Sequence, residues 1–207
     1  MPNIEPATDC HSQPLLIVIS GPSGVGKDTV IHGINDRNLP IHFVVTATTR
    51  AMREGERDGV DYFFVSRAEF ERMIAQDELL EYALVYGEYK GIPKQQVREA
   101  IGSGKDVMLR IDVQGAATIH TMCPEAVLIF LTVKDEEELV RRLKLRKSEA
   151  VDNLKLRIET AKQEMRRVNE FEYVVENEDD QLKDTLDAIE AIIKAEHLRV
   201  VPRKVNL

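Results

Sequence analysis

Cysteine is scarce in this chain: Cys10 and Cys123 are the only two among 207 residues. They make neither a metal-ligand spacing nor a disulfide framework, and Cys10 falls in a candidate tail, so a reduced compartment is the simpler reading. The five histidines form no H-x-x-x-H pair, which leaves no protein-built metal site in view. No run of about 18 apolar residues is present to span a bilayer. Residues 1–13 lack a basic start and an apolar segment, which excludes a secretory signal. They also lack Arg, which speaks against an intact transit peptide; they read as a flexible tail. Basic charge is in deficit, with 28 Lys and Arg against 36 Asp and Glu and a net charge of −8. That argues against nucleic-acid or membrane-surface binding, because either favours a basic face. Hydrophobic residues make up 43% of the chain, enough for one well-buried core with small inserted subdomains.

The most informative stretch is Gly21-Pro22-Ser23-Gly24-Val25-Gly26-Lys27-Asp28. Before it runs Pro14-Leu15-Leu16-Ile17-Val18-Ile19-Ser20, an apolar β-branched segment suited to a buried parallel strand. After it, Thr29-Val30-Ile31-His32-Gly33-Ile34 can continue as a helix. Strand, G-x-x-x-x-G-K, helix is a phosphate-binding loop in its required context. The glycines let backbone N–H groups approach a polyphosphate, the helix N-terminus adds partial positive charge, and Lys27 can bridge the outer phosphates. The plainer alternative is a glycine-rich turn that happens to precede a helix. The motif's usual Ser or Thr after the lysine, whose hydroxyl ligates Mg²⁺, is replaced by Asp28. A carboxylate is also a hard oxygen ligand, so Asp28 is the candidate metal contact, and Thr29 is the next hydroxyl available.

Strand and helix patterns alternate along the rest of the chain. Phe43-Val44-Val45-Thr46 predicts a second strand, residues 47–60 a loop, and Asp61-Tyr62-Phe63-Phe64-Val65 another strand. Ser66-Arg67-Ala68-Glu69 is a capping box that opens a helix through about Ala75. Residues 79–86 have mixed strand character, residues 87–91 predict a turn, and Pro93 suits the first position of a helix reaching about Ile101. Asp106 to Ile111 and Ala126 to Leu131 predict core strands. Charged helices follow at about 135–147, 151–169 and 181–197, with a short strand at Tyr173-Val174-Val175. The alternation predicts an α/β domain with a parallel sheet and its ligand at the carboxyl ends of the strands. Residues 47–92 interrupt it with short, partly antiparallel strands, in the manner of an inserted second substrate site.

Two arginine clusters bear on that second site. Arg50 and Arg53 sit beside hydroxyls and ahead of Tyr62. Their guanidinium forks suit the phosphate of a second nucleotide, and a solvated charged loop accounts for them equally well. Arg142 and Arg146 lie four apart on one helix face, with Arg157 following. Arginines on a closing lid can stabilise charge in phosphoryl transfer; taken alone, an ordinary basic helix face is the more economical reading.

In combination the segments resemble the guanylate kinase family, from about Leu15 to the final helix. The matching motifs, in order, are the GPSGVGK loop, T-T-R-x-x-R-x-G-E at 48–56, D-Y-F-F-V at 61–65 and L-L-E-Y-A with Glu81. Then come I-D-x-Q-G at 111–115 and R-L-x-x-R at 142–146 with Arg157. The resemblance implies an α/β fold with a P-loop NTPase-type parallel sheet core, flanked by helices, over residues 14–46 and 93–207. It also implies a GMP-binding insertion at 47–92 and a mobile lid at about 142–157. The implied reaction moves the γ-phosphoryl of ATP to GMP, giving ADP and GDP, with Mg²⁺ bound alongside ATP.

By the same resemblance, the loop residues Gly21, Pro22, Ser23, Gly24, Val25, Gly26, Lys27, Asp28 and Thr29 hold ATP, and Asn177 holds its adenine. Thr46, Arg50, Arg53 and Tyr62 hold the GMP phosphate. Glu81 and Asp112 accept hydrogen bonds from the guanine N1–H and amino group, donors that adenine lacks. Lys27, Arg142, Arg146 and Arg157 serve the transfer itself. The implied partners are small molecules only, with no nucleic acid and no membrane. The implied assembly is a monomer or homodimer, in the cytoplasm or, after transit-peptide removal, in an organelle stroma or matrix.

Three departures stand out. Lys90 replaces a tyrosine that helps hold the GMP phosphate, and can act there as a point charge. Ile92 replaces a hydroxyl residue that helps read guanine. Arg110 replaces an acid near Lys27 and the metal, and Asp28 is expected to supply the missing charge. This variant pattern resembles the organellar plant-type branch of the family. The alternatives are a catalytically silent interaction module, which typically loses the loop lysine or the arginines, and a kinase of the same fold with another phosphorylated acceptor.

Overall fold

The core is a parallel sheet built around β1 (Leu16–Ser20), which is buried at every position. In the computed structural model, which describes residues 13–85, 87–145 and 151–207, β1 lies between β7 (Asp106–Arg110) and β8 (Val127–Thr132). The edges are β2 (Ile41–Phe43) and β9 (Tyr173–Glu176), giving the order β2-β7-β1-β8-β9 with all four pairings parallel. The β-branched runs are uninterrupted because both sheet faces are covered. Successive side chains point to opposite faces. Leu15, Ile17 and Ile19 pack with residues of α1 (Lys27–Asp36) and α7 (Leu182–His197). Leu16 and Val18 pack with α3 (Lys94–Gly102) and α4 (Val113–Met122).

A second, four-stranded sheet occupies residues 47–93, in the order β4-β3-β6-β5. Its strands are β3 (Ala47–Thr48), β4 (Phe63–Phe64), β5 (Leu79–Val85) and β6 (Glu88–Pro93). The long hairpin of β5 and β6 is antiparallel, and β3 pairs parallel with β4. Beneath it, α2 (Arg67–Ala75) buries Phe70, which stacks on Tyr89 with ring centroids 5.0 Å apart. Ser66 Oγ accepts from the Glu69 N–H at 3.1 Å, one half of the expected capping box; the Glu69 carboxylate turns instead to Arg72. After β8 come α5 (Glu136–Leu145), α6 (Val151–Met165) and a 3₁₀ turn (Arg166–Glu170). Residues 1–12 of the expected tail and 146–150 of the expected lid, Arg146 among them, lie outside the described residues.

Several boundaries differ from the expectations. The strand expected at 43–46 ends at Phe43. Val44 N–H still reaches Met108 O at 3.1 Å. The N–H and carbonyl of Val45 are both taken by the side-chain amide of Gln96 at 3.1 Å, which draws the chain off the ladder. The strand expected over 61–65 contracts to Phe63–Phe64. The turn expected at 87–91 is strand β6 from Glu88 onward, and Pro93 is the N-cap of α3 rather than its first residue. Helix α4 is an element beyond the expectations. Asp112 is its N-cap, with Oδ1 accepting from the N–H groups of Gln114 and Gly115 at 2.9 and 3.0 Å.

The C-terminal segment is tied down by a buried arginine. Arg203, 5% exposed, donates to Glu196 at 2.6 and 3.0 Å and to Glu172 at 2.8 Å. Arg203→Ala leaves Glu196, 3% exposed, with only Arg199 at 3.4 Å and the Tyr173 hydroxyl as side-chain partners. We expect a loss of about 3–5 kcal/mol in urea unfolding. The Arg203 guanidinium also holds the Glu196 carboxyl down from 4.5 to about 2. Its stabilising contribution is therefore complete above the ordinary carboxylate range and disappears as pH falls from 4.5 towards 2. Arg203→Ala should flatten that acid limb.

Candidate active site

The cleft begins where β1 hands over to α1. Gly21 has φ +135°, and a Cβ there would lie 2.2 Å from Leu131 O. Gly26 has φ +91°, and a Cβ would meet Asn177 Nδ2 at 2.5 Å. Both positions therefore demand glycine. No side chain caps the start of α1, so its N-terminal partial charge faces the cleft. Lys27 Nζ donates to the loop's own carbonyls, Gly21 O at 2.6 Å and Pro22 O at 3.0 Å. Ser23 N–H donates to Glu164 Oε2 at 3.1 Å. Asp28 Oδ1 accepts from Arg110 at 2.7 Å.

Two of the expected residues, Asn177 and Arg142, contact the loop at Val25 and lie against Gly26. Asn177, expected at adenine, is 6% exposed and donates through Nδ2 to Val25 O at 2.7 Å. Its Oδ1 accepts from Thr185 Oγ1 at 3.3 Å. Arg142, expected at the phosphates, donates to Val25 O at 3.4 Å and Asn177 O at 2.7 Å, and pairs with Glu138 and Asp179. Neither lines the cleft. Both are committed to holding the loop's shape, because Val25 is buried in the core and its carbonyl must be satisfied. Thr29 is exposed and also away from the cleft.

The remaining expected residues do converge. Across a cavity of about 320 Å³ from the loop stand Thr46, Arg50, Arg53, Tyr62, Glu81 and Lys90, with Asp112 and Arg157 closing the ends. Thr46 Oγ1 is buried and has no hydrogen-bond partner among the described residues; a hydroxyl so placed on a cleft wall suits a ligand acceptor. Arg50 makes a two-pronged pair with Glu56 at 2.8 and 2.9 Å and lies 5.0 Å from the Tyr62 ring centroid. Ile92, whose missing hydroxyl raised a question, is fully buried in the core beside Leu80 and Val97.

The electrostatics are unusual on the insertion side. Glu81 is 5% exposed, and burial pushes its carboxyl up to about 8, with the Asp112 charge adding to the shift. The approach is close: a Cβ at Gly115 would lie 2.8 Å from Glu81 Oε2. Burial brings the Lys90 ammonium down to about 8, helped by Lys27. Burial likewise raises the Glu164 carboxyl, against the pull of Lys27.

The cleft also holds Glu164, which carries no expectation from the sequence, and Arg110, expected near Lys27 only as the replacement of an acid. Glu164 follows Arg157 by two helical turns on α6, so the helical period was the available signal. Arg110 ends β7, and the carboxyl end of a central parallel strand is where such sheets bind ligands.

Parallel core, phosphate loop and facing insertion define a P-loop NTPase-type protein with room for a second ligand. Residues 13–196 match the family model described as guanylate kinase, and the chain belongs to that family. It is 53% identical over 196 residues to guanylate kinase 2, chloroplastic/mitochondrial, of Oryza sativa subsp. japonica, covering 94% of this chain and 69% of the rice protein. It is 47% identical to guanylate kinase of Halalkalibacterium halodurans, covering 89% of this chain and 90% of that protein. Among solved structures, guanylate kinase from Anaplasma phagocytophilum superposes with a TM-score of 0.77 at 32% identity, covering 91% of this chain and 89% of that one.

The position of Asn177 generates a test. If it braces the loop, Asn177→Ala should lower the stability of the nucleotide-free protein by about 1–3 kcal/mol, because the Val25 carbonyl keeps only the longer Arg142 contact at 3.4 Å. A residue serving adenine alone would leave the thermal midpoint of the nucleotide-free protein unchanged.

Proposed function

We propose that this protein is a working guanylate kinase, transferring the γ-phosphoryl of ATP to GMP to give ADP and GDP. The observation that carries the reading is the joint placement of Glu81 and Asp112 in the cleft that the phosphate loop opens into. Ionised Glu81 accepts from the guanine N1–H, and Asp112 from the amino group. Adenine would leave the buried Glu81 carboxylate unmatched. Thr46, Arg53, Tyr62 and Lys90 take the GMP phosphate, joined by Arg50 from its pair with Glu56.

On the donor side, the loop N–H groups and Lys27 take the ATP phosphates, with Lys27 exchanging its carbonyl partners for phosphate oxygens. Arg157 reaches the cleft from α6 and stabilises charge during transfer, with Arg146 as its lid partner. Arg142 acts through the loop that it supports. The GMP phosphate is itself the nucleophile, so catalysis is positioning plus electrostatics and needs no strong base.

Magnesium belongs to this reading as the ion carried in with ATP. No group of three or more His, Cys, Asp or Glu side chains that could hold a metal occurs among the described residues. Asp28, on the cleft wall next to Lys27, is the carboxylate placed to meet the ion, and it shares that carboxylate with Arg110. When bound, the ion neutralises the β- and γ-phosphate oxygens. The compartment we favour is the cytoplasm, or an organelle stroma or matrix given the rice relative's name.

With Mg-ATP, GMP should be phosphorylated with kcat/KM about 10⁴-fold above AMP, the scale expected when buried polar groups lose their partners. Equal turnover of the two would refute the guanine assignment in a coupled ADP-release assay. Absence of turnover with any monophosphate would favour the interaction-module alternative.

A second expectation concerns protons. With its carboxyl at about 8, Glu81 is mostly protonated at neutral pH, and ionisation on binding would turn its O–H donor into a second, stronger acceptor for guanine. Calorimetry in buffers of differing ionisation enthalpy should show wild type releasing about one proton more per bound GMP than Glu81→Gln. The difference should vanish about one unit above the Glu81 value. No difference at neutral pH would refute ionisation of Glu81 on GMP binding.

A further inference from the structure

Arg110 is the last residue of β7, with its side chain 11% exposed. Its guanidinium is engaged on two edges and a face at once. One nitrogen donates to Asp28 Oδ1 at 2.7 Å, in the first turn of α1. A second donates to the Asp61 carbonyl at 2.9 Å. The guanidinium carbon lies 4.5 Å from the centroid of the Tyr62 ring. A planar fork can make all three contacts together, whereas an ammonium offers a single point charge.

The same two segments are joined a second time. His32 Nε2 lies 3.3 Å from Asp61 Oδ1, and His32 follows Asp28 by one turn on the same face of α1. Asp61 Oδ2 in turn accepts from Arg57 N–H at 2.8 Å, so the Asp61–Tyr62 loop is held at its backbone and its side chain. Lys90 is near enough to feel both Arg110 and Asp28. Tyr62 is 9% exposed and carries Arg50 as well as Arg110 against its ring.

We propose that Arg110 is the positioning residue that couples the two substrate sites: it ties the phosphate-loop helix to the acceptor-side Tyr62 and cancels the Asp28 charge beside the donor phosphates. The inference deepens the guanylate kinase reading and rests on it. Asp28 alone gains from the helix dipole but repels a polyphosphate, and Arg110 removes that repulsion. Because Asp28 also holds Arg110 over Tyr62, a change at Asp28 is transmitted across the cleft. By linkage, the donor and acceptor sites then bias one another through this one side chain.

The test is a double-mutant cycle read by equilibrium binding of metal-free GMP and ADP and by hydrogen exchange of the 57–64 backbone. The variants are Asp28→Ser, Arg110→Ala, Arg110→Lys and Asp28→Ser with Arg110→Ala. Asp28→Ser should weaken GMP binding about fivefold and speed exchange in 57–64, although Asp28 belongs to the opposite wall. In the Arg110→Ala background it should add nothing to either. Arg110→Ala should weaken ADP binding, and adding Asp28→Ser should restore it. Arg110→Lys should keep ADP affinity near wild type while matching Arg110→Ala for GMP, because charge survives and the fork does not.

Multiplicative GMP effects of the two single variants, or full recovery of GMP affinity by Arg110→Lys, would overturn the coupling. So would unchanged exchange and GMP affinity in Asp28→Ser, a variant at a half-exposed position that tests the idea even where Arg110→Ala folds poorly. The expected exchange pattern in a protein that binds no GMP would support the strap and overturn the kinase reading instead.

Discussion

Everything in the cleft depends on a loop that bends too sharply to hold itself. At Gly21 the backbone runs so near Leu131 of β8 that no side chain fits, and at Gly26 it turns through a left-handed conformation against Asn177. Such a turn exposes backbone groups at its inner and outer rims. The outer rim is satisfied by protein: Val25 O takes the Asn177 amide and Arg142. The inner rim faces the cleft, where side chains of the loop and of α6 meet it. Lys27 folds back on two loop carbonyls and Glu164 takes the Ser23 N–H. The division of labour follows from the cost of leaving buried polar groups unpaired.

The same economy explains the charge arrangement on the insertion wall. Cationic Lys90 stands within reach of Lys27, and acidic Glu81 within reach of Asp112, each buried enough to be pushed towards its neutral form. Like charges gathered in one cleft are unfavourable by themselves, and under the proposed function they complement a ligand with phosphates at one end and two donors at the other. Such opposed, perturbed groups mark functional sites in general. Arg110 and Asp28 form the exception: they neutralise one another directly, across the junction between the two walls.

Much of the architecture was legible. The runs at Leu16–Ser20, Asp106–Arg110 and Val127–Thr132 are apolar because both faces of the sheet are covered, and a buried strand has no other way to read. The capping serine at 66 was legible because its bond is to a backbone group three residues away. The hairpin arm Glu88–Pro93 was not, since its Gly, Lys and Pro carry turn signals and the pairing with β5 supplies the strand. Nor was the early end of β2, which depends on Gln96 from another element.

The candidate site divides along the same line. Sequence by itself determined the phosphate loop, the placement of Arg50, Arg53, Tyr62 and Glu81 in an insertion, and the chemistry available to each, because these are properties of short segments and their spacing. Only the tertiary structure decided that Asn177 and Arg142 brace the loop, that Ile92 belongs to the core, that Glu164 enters the cleft, and that Arg110 meets Asp28 instead of leaving it to the metal alone. The partners involved are 152 residues apart for Asn177 and Val25 and 82 apart for Arg110 and Asp28. A residue's type limits what it can bind, but which group it meets is set by how strands and helices dock, and docking is governed by the whole buried core.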